Sequence, residues 1–362
     1  MYTRRQVLVL AGHSAAAAIL AGAAPVPAGT TAKTGKMGVV MHSYNLRMLA
    51  DRKAGKTDDA FAEPLRFLEY CRNLGAGGIQ GSIGVRDEKY SMRLRRLAEK
   101  YEMYLEASIE LPKDDSEMER FESELRTAAD AGVSVARVVL IPTGGSGRRY
   151  EDYHSLQDFQ KDRADAVRML GKAVRIAEKK GVKLAIENHK DELVGERLET
   201  LSQISSECLG VCADFGNSFS LLEDPLEVIR AYAPYALTSH IRDLAVKEYE
   251  DGFLMWDVPL GQGFLDLTKM IELLRNANPL VRFNLELMTR DALKIPCLTE
   301  KYWAAMGNVP GINLARTLKM VRAKASQQPP PQISTLPVSE QFRLEDENVK
   351  KCLAYAGEHL GL

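Results

Sequence analysis

Eight short apolar runs recur along this chain, each followed by a segment of helical period. The runs are MGVVMHS (37–43), GGIQGS (77–82), MYLEASIEL (103–111), ARVVLIP (136–142), VKLAIEN (182–188), GVCADFG (210–216), LTSHIRD (237–243) and RFNLELM (282–288). Between them lie amphipathic patterns such as FAEPLRFLEYCRNLGA and DAVRMLGKAVRIAEKKGV. Several of these end in Gly just before the next run, as helix C-caps do. A strand–helix unit repeated in this way calls for parallel strands with crossover helices. Eight units over roughly 290 residues suit a (β/α)8 barrel better than an open doubly wound sheet. No GxGxxG follows the first run, so a dinucleotide-binding sheet lacks its fingerprint. The expected fold is therefore α/β, a TIM barrel over residues 36–326.

Both ends depart from that pattern. Arg4 and Arg5 precede an Ala- and Gly-rich apolar stretch, Val7 to Ala24. Residues 1–35 are expected to be a twin-arginine export signal with a short linker, which would place the mature protein in the periplasm. The stretch is too short and too Ala-rich for a stable membrane span. At the other end, QQPPPQISTLP (327–337) reads as a Pro-rich linker. The rest of 327–362 forms a helical pattern expected to dock on the barrel or on a partner subunit, so a homo-oligomer is open. The five cysteines contain no CxxC pair, and no zinc ribbon or disulfide framework follows. Net charge is −1, with 48 basic and 49 acidic residues, which argues against a nucleic-acid partner.

A barrel of this kind works at the C-terminal ends of its strands. There, four successive runs each deliver one metal-ligand type: Glu187 in LAIEN, Asp214 in GVCAD, His240 in LTSHI and Glu286 in FNLEL. Singly, each has an ordinary explanation: a surface Glu, an Asp opening a turn, a satisfied buried His. Together they sit among apolar neighbours, where unpaired charge is expensive, and one shared cation would offset the cost for all three carboxylates. Three carboxylates and one imidazole suit Mn²⁺, Mg²⁺ or Co²⁺, and Zn²⁺ less well.

This ordered set, in AIENH, CADFGNS, SHIRD and NLEL, resembles the xylose isomerase-like TIM barrel superfamily and, within it, the sugar phosphate isomerase/epimerase group. VPLGQGFLDL (258–267) is similar to a loop common in that group. The resemblance runs from about Gly38 to Ala323. It implies that Glu187, Asp214, His240 and Glu286 bind one divalent cation. It further implies that Glu187 and Glu286 are the catalytic proton-transfer groups of a sugar isomerase or epimerase. Such an enzyme removes a proton next to a carbonyl to give an enediolate, with the metal polarising that carbonyl. The substrate would be a small carbohydrate.

The chain also departs from the family pattern. Asn217 stands where the epimerases usually carry His, and Gln80 ends the second strand where a carboxylate is frequent. Asn cannot exchange a proton at neutral pH. A lyase or hydratase acting on a keto-glycoside, or a non-catalytic sugar-binding barrel, is therefore kept beside the isomerase/epimerase. His42, His189, Asn217 and Arg242 are candidate substrate contacts. Lys190 is expected to be a solvated rim residue, and PTGGSGRRY (142–150) a lid loop or an anion cradle. Apurinic endonucleases share the barrel but use many histidines; this chain has six, one of them His13 in the leader.

Overall fold

The computed structural model describes residues 35–55, 61–141, 145–307 and 309–362. The expected export signal, with Arg4 and Arg5, lies outside the described residues. Eight parallel strands close a barrel: β1 (Gly38–Val40), β2 (Gly78–Gly81), β3 (Tyr104–Ser108), β4 (Val135–Val138), β5 (Lys183–Glu187), β6 (Leu209–Asp214), β7 (Ala236–Ile241) and, after an excursion, β10 (Arg282–Leu285). Going round, the order is β1-β2-β3-β4-β5-β6-β7-β10, with β10 pairing back onto β1. Each barrel strand lies within the run expected for it or within one residue of it.

Local chemistry explains the helices. Helix Leu156–Lys180 starts at Ser155, whose side chain accepts from the Asp158 N–H, and stops at Gly181, which takes a left-handed conformation with φ 69°. Its buried residues Val167, Leu170, Val174 and Ala177 fall at intervals of three and four, so one face packs on the barrel. Asp87, Asp224 and Asp266 cap three other helices in the same way.

The structure adds what the strand count missed. Residues 243–258 form an antiparallel hairpin, β8 (Asp243–Tyr249) and β9 (Gly252–Val258), and β11 (Leu293–Ile295) pairs with β9. Only Arg242 separates β8 from barrel strand β7. This small sheet builds a second apolar cluster, with Phe219, Phe253, Met255, Ile295, Tyr302 and Val321. It is anchored by Asp243, whose carboxylate accepts from the backbone N–H groups of Leu244, Gly261, Gly263 and Leu265. The loop VPLGQGFLDL is thus wound around one buried carboxylate. A side chain at Gly263 would collide with it, since a Cβ there would lie 2.1 Å from Asp243 Oδ1.

The C-terminal helix Val338–Tyr355 docks on the barrel. Val349 and Cys352 are buried. Glu345 Oε1 accepts from the Leu46 N–H at 2.7 Å, and Asp346 accepts from Arg47 and Tyr70. Burial raises the Glu345 carboxyl to about 7, although the Leu46 N–H and Arg47 pull the other way. A carboxyl raised on folding binds protons better in the native state than in the unfolded chain. Its contribution is therefore full below about pH 4.5 and is lost as pH rises to about 7. Glu345→Gln should remove this term. Relative to the wild type, the variant should gain on the order of 2–3 kcal/mol between pH 5 and pH 8 in urea unfolding.

Candidate metal centre

The closing strands bring Glu187, Asp214, His240 and Glu286 together. Glu187 and Asp214 end β5 and β6, His240 lies in β7 and Glu286 follows β10. One ligand atom from each lies within 4.8 Å of all the others, and all four residues are buried. His240 Nδ1 stands 3.3 Å from Glu286, 3.7 Å from Glu187 and 3.9 Å from Asp214. Bonds of roughly 2.0–2.6 Å to a common hard cation would place ligand atoms at about these separations.

A chain of hydrogen bonds settles which imidazole nitrogen faces the carboxylates. Glu106, on β3, accepts through one oxygen from Gln80 Nε2 (3.0 Å), Thr238 Oγ1 (2.7 Å) and Asn284 Nδ2 (3.0 Å). That fixes the Gln80 amide with its nitrogen toward Glu106, so its oxygen meets His240 Nε2 at 2.7 Å. Nε2 must then be the donor, and the Nδ1 lone pair points into the carboxylate cluster. Nδ1 is buried and has no hydrogen-bond partner. A buried, unpartnered imidazole nitrogen facing three carboxylates fits a divalent cation. Burial disfavours the imidazolium, but Cys212, Glu286 and Glu187 outweigh it and hold His240 well above its ordinary range. A proton and a cation therefore compete for the same nitrogen.

The three carboxylates are held from behind. Glu187 Oε2 accepts from Arg137 Nε at 2.6 Å and also from its Nη2, while Oε1 accepts from Asn217 Nδ2 at 2.9 Å. Asp214 Oδ1 accepts from the N–H groups of Gly216 and Asn217, and Oδ2 from Arg242 Nε at 2.8 Å. Arg242 also pairs with Glu286, and its Nη1 donates to Asp257 of β9 at 3.1 Å. Burial resists ionisation of Glu187 and Glu286, yet Arg137 and His240 for the first, and His240 and Arg242 for the second, hold both below the usual carboxylate range. Asp214 goes the other way, because burial and the neighbouring Glu187 and Glu286 outweigh Arg242.

Of the expected substrate contacts, His42 is exposed at the mouth, with Nδ1 4.0 Å from Glu286. His189 is half-buried, bonds Gly147 O at 2.9 Å, and is lowered to about 4 by burial and Lys190. Asn217 bridges Glu187 and Lys190. Arg242 is committed to carboxylates rather than left free. Lys190 corrects the sequence expectation. It is buried, not solvated, because its stem turns inward and its ammonium donates to Asn217 Oδ1. Arg149 is no anion cradle either: it is buried against Glu196 and backbone carbonyls.

Four contributors were not picked out from the sequence. Glu106 and Arg137 sit mid-strand in MYLEASIEL and ARVVLIP, where a charge inside an apolar run was the available signal. Asp257 and Arg290 depend on the unrecognised small sheet. Removing the tautomer lock should show its weight. Gln80→Leu should weaken Mn²⁺ binding, measured by titration calorimetry, by about 10–100-fold with far-UV circular dichroism unchanged; unchanged affinity would make Gln80 mere packing.

Solved structures resemble the chain at low identity, which shows the fold alone. A D-psicose 3-epimerase solved in the presence of D-fructose superposes with a TM-score of 0.57 at 15% identity, covering 90% of this chain and 100% of that one. A xylose isomerase-like TIM barrel protein from Mycobacterium smegmatis, in complex with magnesium, gives a TM-score of 0.55 at 14% identity, covering 80% and 100%. Among curated proteins, a 3-oxo-isoapionate decarboxylase of Pectobacterium atrosepticum is 32% identical over 100 residues, 27% of this chain and 36% of that protein. The chain thus matches about a third of that relative's length. The model of the xylose isomerase-like TIM barrel family matches residues 68–303, and the chain belongs to that family.

Proposed function

We propose that the chain is a divalent-metal-dependent sugar isomerase or epimerase that moves a proton at the carbon next to a carbonyl. The observation that carries this is the unpartnered Nδ1 of His240 facing three carboxylates on neighbouring strands. Glu187, Asp214, His240 and Glu286 would hold one Mn²⁺, Mg²⁺ or Co²⁺. When bound, the cation supplies Lewis-acid polarisation of the substrate carbonyl.

The chain's own residues supply the proton transfers. Two strands, β6 and β7, separate Glu187 on β5 from Glu286 after β10, so the two glutamates flank whatever lies over Asp214 and His240. Both are held ionised by their cationic neighbours. Glu187 removes the proton α to the carbonyl; in an isomerase the same carboxyl then returns it to the neighbouring carbon, and in an epimerase Glu286 first takes up a proton from solvent and returns it from the opposite side. Asn217 holds Glu187 Oε1 and orients it. His42 and His189 stand at the mouth for hydroxyl contacts.

Lys190 favours a second reading, a lyase on the same site. Burial and the nearby Arg290 and Arg242 lower its ammonium to about 8, within reach of proton donation to the leaving oxygen of an elimination or to the carbanion left by loss of carbon dioxide. The partial match to a decarboxylase is in keeping with such chemistry. An export leader would direct the enzyme toward glycoside-derived substrates in the periplasm.

The leaderless protein should retain about one Mn²⁺ per chain after dialysis, by elemental analysis. Glu187→Gln should lose roughly 10³-fold of turnover. In D₂O, deuterium entering a recovered free ketose supports the epimerase, and aglycone release from a 3-keto-glucoside supports the lyase. Retained metal with neither product would leave a sugar-binding barrel.

A further inference from the structure

Four cationic side chains gather at the metal centre, and only two of them are used up by its ligands. Arg137 hydrogen-bonds Glu187, and Arg242 ties Asp214, Glu286 and Asp257. Lys190 and Arg290 do neither. Among the described residues, the Lys190 ammonium donates a single hydrogen bond, to the neutral Asn217, although it is 4% exposed. An ammonium has three donors, so two remain to be placed. Among the described residues, the Arg290 guanidinium makes only a loose approach to Asp257, Nη2 to Oδ2 at 3.9 Å, and its Nε is buried with no hydrogen-bond partner. Arg290 also lines a surface cleft with Arg148, Glu151 and Leu46, so its other face meets solvent beside the barrel mouth. Arg148 in that cleft is already paired with Glu151.

The charge balance points the same way. Glu187, Asp214, Glu286 and Asp257 face Arg137, Lys190, Arg242 and Arg290. With His240 neutral, as a ligand to a cation must be, these cancel. A divalent cation on the four ligands would leave two unbalanced positive charges in a water-poor pocket, which is expensive unless a ligand brings negative charge. A neutral ketose does not bring it.

We infer that Lys190 and Arg290 form an oxoanion subsite beside the metal centre, and that the substrate is an anionic sugar derivative bearing a carboxylate or phosphate close to its carbonyl. This deepens the proposed function and rests on it for the placement of the carbonyl. The crowding of Lys190 by Arg290 and Arg242 accords with it, since an arriving anion would relieve that repulsion. Arg290 offers a planar fork and Lys190 a point charge for such a group.

The test is equilibrium binding by calorimetry to the leaderless protein, with and without Mn²⁺. The ligands are D-fructose, 2-keto-D-gluconate and D-fructose 1-phosphate. At least one anionic ligand should bind tenfold or more tightly than fructose, and the preference should shrink as NaCl rises from about 50 to about 500 mM, because added salt shortens the reach of charge. Lys190→Met and Arg290→Gln, on separate elements, should each cut that preference at least fivefold with Mn²⁺ stoichiometry and circular dichroism unchanged. Arg290→Lys should restore part of it. Tighter carboxylate than phosphate binding assigns a sugar acid, and the reverse a sugar phosphate. Equal affinity for neutral and anionic ligands, or a preference that survives both substitutions, overturns the inference. A wild type that retains no Mn²⁺ would instead sink the metal reading and the charge count with it, while an anion preference that Lys190→Met and Arg290→Gln abolish would still support the subsite.

Discussion

Three carboxylates cannot share the inside of a barrel unless something offsets their mutual repulsion and their loss of water. Here that constraint organises everything around it. Arg137 stands behind Glu187, and Arg242 stands between Asp214, Glu286 and Asp257. Both arginines bond oxygens with defined geometry, so they orient the carboxylates as well as neutralise them. The histidine is fixed by a separate device one layer down. Glu106 gathers three donors on one oxygen, turns Gln80, and through it presents the Nδ1 lone pair to the carboxylates.

The two departures from the family pattern acquire roles in that frame. Gln80 cannot add a fourth carboxylate, but it can donate to Glu106 and accept from His240 at once, which a carboxylate could not do without a proton. Asn217 likewise faces two ways. Its amide nitrogen donates to Glu187 and its oxygen accepts from Lys190, so a neutral side chain carries both contacts. The centre loses titratable groups and gains fixed orientation. The small sheet completes the arrangement from outside the barrel. By continuing β7 through Arg242 into β8, it fastens the arginine's backbone on both sides and brings Asp257 against its guanidinium.

The barrel strands were legible because parallel strands buried on both faces read as apolar runs, and their crossover helices carry a 3.6-residue period with clear caps. The four candidate ligands were legible for the same reason, since a charge inside such a run needs an explanation. Glu106 and Arg137 carried the same signal and were passed over, because neither stands at a strand end. The β8–β9 hairpin was missed although DLAVKEY and GFLMWDV flank a short Glu250–Asp251 turn. The burial of Lys190 is not legible in the sequence, because next-neighbour polarity says nothing about which way a chain turns after a strand ends.

By itself, the order of residues along the chain determined the eightfold α/β alternation and the delivery of Glu187, Asp214, His240 and Glu286 to one end of successive strands. Those follow from local periodicity, which neighbours in sequence specify. Only the tertiary structure decided the His240 tautomer, the pairing of Arg137 and Arg242 with the carboxylates, and the burial of Lys190. Each depends on side chains tens to hundreds of residues apart, such as Gln80 with His240, and on the low-dielectric interior that closing the barrel creates.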